Sequence, residues 1–74
     1  MQCLMMKVAD LIKTIRNEKG ISQEKLAHLS NLDRTYISGI ECYRRNISIN
    51  SLEQIIRALE ISNSDFFKRL SCIT

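Results

Sequence analysis

A twenty-residue stretch, QEKLAHLSNLDRTYISGIEC from Gln23 to Cys42, constrains this chain more than any other part of it. Leu26 and Ala27 mark the inward side of one short helix that runs to about Ser30, and Ile37 and Ile40 mark the inward side of a second. Ser22 offers an N-cap oxygen to the first of these helices. Asn31 is the corner between them, because its short side chain tolerates the left-handed conformation that a tight turn demands. Leu32 is expected to bury itself in that corner and Asp33 to cap the second helix. Two short helices packed across such a turn form a helix-turn-helix.

The second helix keeps one face free. At about 100° per residue, the side opposite Ile37 and Ile40 is occupied by Thr35, with Ser38 and Gly39 beside it and Arg34 and Tyr36 on the flanks. Arg34 sits in the first turn, where the helix dipole prefers an acid, so its presence calls for another reason. Gly39 costs about 0.5–1 kcal/mol against Ala inside a helix. Either the helix backbone must approach a partner closely there, or a neighbouring side chain fills the space.

The remaining segments read as helices. Val8, Leu11, Ile12 and Ile15 predict an amphipathic helix from about Lys7 to Glu18, stopped by Gly20. After Cys42 the segment YRRNIS is irregular and basic. Ser48 caps a fourth helix bearing Ile49, Leu52, Ile55, Ile56 and Leu59, and Glu60 to Asn63 link it onward. Ser62 and Asp65 resemble a capping box that opens a last helix through Phe66, Phe67, Leu70 and Ile73. With no proline and no strand-like alternation, the expected fold is all-α, a compact five-helix domain over residues 1–74 with a central helix-turn-helix.

A chain of 74 residues supplies a core worth only about 3–5 kcal/mol net. Residues 48–74 carry more apolar surface than a monomer readily covers, so Ile49, Leu52, Phe66, Phe67 and Leu70 are assigned to a homodimer interface, although some must also close the monomer core. Eleven basic against eight acidic residues give a charge of +3, which favours polyanions. Cys3, Cys42 and Cys72 form no CxxC pair and have one histidine, the outward-facing His28, to join them, which supports neither a metal site nor a disulfide framework. The N-terminal MQCLMMKV is too short for a membrane span or a secretory signal, so a cytoplasmic protein is expected. Met5 and Met6 are alternative starts to Met1, and the first residues are expected to fray. No nucleophile motif, phosphate loop, cofactor or small-molecule site is legible.

The pattern from Val8 to Leu59 resembles the lambda-repressor-like helix-turn-helix proteins of the Xre or Cro/C1 type. Within it, SNLDRTYISGIE at Ser30 to Glu41 and RRN at Arg44 to Asn46 are similar to the controller proteins of restriction-modification systems, small dimeric transcription factors. The resemblance implies that Arg34, Thr35 and Ser38 meet base edges in the major groove and that Gln23 meets a phosphate. Tyr36 either bonds the duplex or is partly buried against the first helix. Arg45 and Asn46 match a loop that grips DNA, whereas Arg44 stands where the family varies. Arg16 and Glu41 match a buried salt bridge between the first and third helices. The partners implied are a pseudo-palindromic double-stranded DNA operator, a second copy of the chain and RNA polymerase. A phage-type repressor or antitoxin of the same fold is the alternative within DNA binding. A protein-interaction module without DNA binding is the alternative outside it.

Overall fold

Three of the helices begin where a serine supplies a cap. The computed structural model describes residues 3–72, among which five α-helices follow one another: α1 Leu4–Glu18, α2 Gln23–Ser30, α3 Arg34–Glu41, α4 Ile49–Ala58 and α5 Asn63–Ser71. Ser22, Ser48 and Ser62 each accept a hydrogen bond at 3.0 Å from the amide three residues on, which satisfies one orphan donor at the start of α2, α4 and α5. Asp33 holds the extended N-cap backbone of α3 and its carbonyl accepts from Ile37, but its carboxylate makes no capping bond. The cap expected of that side chain is therefore replaced by backbone alone. α1 starts earlier than Lys7, because Leu4, Met5 and Met6 are strong helix formers and continue the helix. The fraying expected of the first residues does not extend to these three; Met1 and Ile73 lie outside the described residues.

Two turns rest on left-handed residues that the sequence supplies. Gly20, at φ 70°, follows the end of α1, and Asn31, at φ 58° and ψ 38°, makes the corner between α2 and α3. Leu32 is half-buried rather than enclosed, packing against the edge of the core from that corner.

The core gathers Val8, Ala9, Leu11, Ile12 and Ile15 from α1 with Leu26, Ile37, Ile40, Ile55, Ile56 and Phe66 from the other helices, and Leu59 from the residue that follows α4. α1 packs on α3 and α5, and α2 packs on α3 and α4, so the helix-turn-helix is braced from two sides. Phe66 is fully enclosed and meets Phe67 edge to face at 5.5 Å. Burying a side chain of that size contributes about 1.5–3 kcal/mol. Arg69 closes α5 onto α1 through a two-pronged pair with Glu18 at 2.9 and 2.8 Å. No helix among the described residues is long and apolar enough to cross a membrane.

Candidate nucleic-acid interface

The base of the site is a buried polar network. Arg16 of α1 donates through Nε and Nη2 to the two carboxylate oxygens of Glu41 at 2.8 and 2.9 Å, and through Nη1 to the Ile21 carbonyl at 2.8 Å. Gln23 Nε2 adds a third donor to Glu41 at 3.0 Å. The hydrogen bond to Glu41 raises the Arg16 pKa above its ordinary value, against the effect of burial. Because the network ties the end of α3 to α1 and to the first residue of α2, it sets the angle at which α3 is held. Gln23 is half-buried, and its amide nitrogen is directed inward to Glu41.

From this base α3 presents its polar side. Arg34 and Thr35 are exposed and Ser38 is half-exposed, while Ile37 and Ile40 turn into the core. Tyr36 is partly buried, packed against the edge of the core. Its hydroxyl donates to the Asn46 carbonyl at 3.3 Å and accepts from the Ser48 amide at 3.4 Å, so it braces the segment between α3 and α4.

That segment carries Arg44, Arg45 and Asn46, all exposed. Its first residue, Tyr43, adopts φ 65°, and the amides of Arg44 and Arg45 both donate to the Gly39 carbonyl, at 2.8 and 3.1 Å. The stem of Arg45 lies over Gly39, where an added Cβ would fall 2.4 Å from Arg45 Cγ. A neighbouring side chain therefore fills the space at this glycine. The Arg45 guanidinium sits 5.3 Å from the centre of the Tyr36 ring, a cation–π distance. Thr35, Ser38, Gly39, Cys42, Arg44 and Arg45 together line one shallow concavity. The hydroxyl of Tyr43 donates to the Asp10 carboxylate on α1, which joins the start of the basic segment to a helix 33 residues earlier. Sequence reasoning missed both residues, since no periodicity links them.

The residues assigned to dimerisation separate into two groups. Leu52 and Phe66 are buried in the core and Leu70 is partly so, whereas Ile49 is 80% and Phe67 48% exposed. The exposed pair lines one groove with Asn50, Glu53 and Asn63. Phe66 is fully enclosed within the protomer and belongs to the set that closes the monomer core. Cys3, Cys42 and Cys72 are all free and exposed, and no cluster of metal-ligating side chains occurs among the described residues.

Comparison with known proteins agrees with this geometry. The helix-turn-helix family profile matches residues 12–66. The control protein C.MunI of Mycoplasma sp is 40% identical over 68 residues, covering 90% of this chain and 92% of its own. The crystal structure of the wild-type restriction-modification controller protein C.Esp1396I superposes with a TM-score of 0.93 at 54% identity, covering 97% of this chain and 95% of that one. Its tetramer in complex with its natural 35 base-pair operator matches with a TM-score of 0.92 at the same 54% identity and coverage of 97% and 95%.

Proposed function

This chain belongs to the helix-turn-helix family, and from that premise we propose that it is the controller of a restriction-modification operon, a DNA-binding transcription regulator acting as a homodimer. The observation that carries the reading is the exposure of Arg34 and Thr35 at the start of α3, beside the exposed Arg44, Arg45 and Asn46. An arginine there can pair with guanine O6 and N7, and the Thr35 methyl can pack on thymine. Ser38 adds a further edge contact. The first amides of α2 would meet a phosphate, joined by the second hydrogen of Gln23 Nε2, whose other hydrogen is given to Glu41. Tyr36 holds the basic segment against α3 while its ring stays near the groove.

Ile49 and Phe67 form the exposed part of the dimer contact, with Leu70 at its edge. Two such protomers would set their α3 helices about 34–36 Å apart, one turn of duplex, matching a pseudo-palindromic operator. A dimer on a strong site recruits RNA polymerase, and a second dimer on a weaker adjacent site blocks it, so protein concentration is the input. The protein works in the cytoplasm and catalyses no reaction.

Selection of duplexes from a random pool followed by salt-dependent binding tests this reading. Affinity should fall steeply with salt as counterions are released. Arg34→Ala should cost about 1–3 kcal/mol of discrimination between the selected operator and a scrambled duplex. A wild-type protein that captures no duplex at low salt would exclude the proposal.

A further inference from the structure

Both ends of the basic segment are tied by tyrosine hydroxyls, and only one of those tyrosines lies on α3. Tyr36 holds the far end through Asn46 and Ser48, while Tyr43 holds the near end through Asp10 of α1. Tyr43 also has a left-handed backbone, an uncommon conformation for an aromatic residue. Its hydroxyl bond therefore fixes a turn that is poorly determined by backbone preference. Immediately beyond it come Arg44 and Arg45, whose amides share the Gly39 carbonyl.

We propose that the Tyr43–Asp10 hydrogen bond is a positioning strap, which holds Arg44, Arg45 and Asn46 ready for duplex so that less loop ordering is left to binding. This rests on the DNA-binding reading above. A loop that must be ordered by its ligand lowers the apparent affinity by the fraction of time it spends competent. Tyr43 and Asp10 thus contribute to operator affinity as positioning residues, acting through Arg45 without contacting bases themselves. Asn in place of Asp10 keeps an oxygen to accept the phenol proton, whereas Ala does not.

The test is a set of variants, Tyr43→Phe, Asp10→Ala, Asp10→Asn and the double Tyr43→Phe/Asp10→Ala, assayed by fluorescence anisotropy on a duplex selected with the wild-type protein. Tyr43→Phe and Asp10→Ala should each weaken binding about 3- to 10-fold, the size expected from one net hydrogen bond. The double variant should be no weaker than either single one, and Asp10→Asn should recover most of the loss. In an Arg45→Ala background, Tyr43→Phe should cost less than it does in the wild type, because one of the groups it positions is gone. Backbone relaxation by NMR, without DNA, should show faster motion at residues 43–46 in Tyr43→Phe while thermal unfolding shifts little. Unchanged affinity in Tyr43→Phe, or an equal loss with and without Arg45, would overturn the strap. A wild-type protein that binds no duplex would overturn the DNA-binding reading and this one with it, whereas failure of the strap alone leaves wild-type binding intact.

Discussion

Three nitrogen donors converge on the Glu41 carboxylate, two from Arg16 and one from Gln23. The pair is nearly enclosed, with side-chain exposures of 10% for Arg16 and 2% for Glu41. Its intact contribution to stability is small, because desolvation offsets attraction, but removing one partner strands the other. Glu41→Ala should therefore destabilise by about 3–5 kcal/mol, measured as a fall in the urea midpoint at constant slope. This pair was legible through the family resemblance, since both residues occupy matching positions. The inward turn of Gln23 was not, because sequence identifies the residue at the start of α2 but not which way its amide points. Tyr43 and Asp10 were illegible for a different reason: two polar residues far apart in the chain give no periodic signal, and only the packing of α3 on α1 brings them together.

Elements whose signals are local were read well. The serine caps of α2, α4 and α5 depend on one side chain and one nearby amide, and the Asn31 corner depends on one backbone conformation. Where two solutions share one local pattern, sequence alone left the choice open. Asp33 could cap through its side chain or merely begin the helix, and adjacent Phe66 and Phe67 could each have faced inward. The i, i+4 relation of Phe66 to Leu70 decided in favour of Phe66. Gly39 is the element-scale feature whose cause the structure resolves. Gly39→Ala would gain roughly 1 kcal/mol of helix propensity yet place a methyl group within the stem of Arg45. The expected outcome is a weaker operator complex from a protein whose thermal midpoint changes little, checked by titration and melting of the same sample.

At the scale of the whole molecule, α5 is fixed to α1 partly by exposed charge. The guanidinium of Arg69 hydrogen-bonds the Glu18 carboxylate and lowers its pKa below the usual carboxylate range. A lowered carboxylate pKa means that the pair stabilises the fold above the ordinary carboxylate pKa of about 4.3 and ceases to do so as pH falls through the lower folded value. Carbon-detected NMR titration should find the Glu18 midpoint depressed in the wild type and returned toward its ordinary value in Arg69→Ala. In the proposed homodimer, assembly would draw on the exposed pair Ile49 and Phe67. Phe67→Asp should shift sedimentation toward monomer and weaken DNA binding together, while leaving the enclosed Phe66 and the helical content intact. α3 itself has only eight residues, too few to hold helical form alone in water. The surface offered to a duplex is thus borrowed from the scaffold beneath it: cut free as a peptide, Arg34–Glu41 would be a coil with the right side chains and no shape to present them.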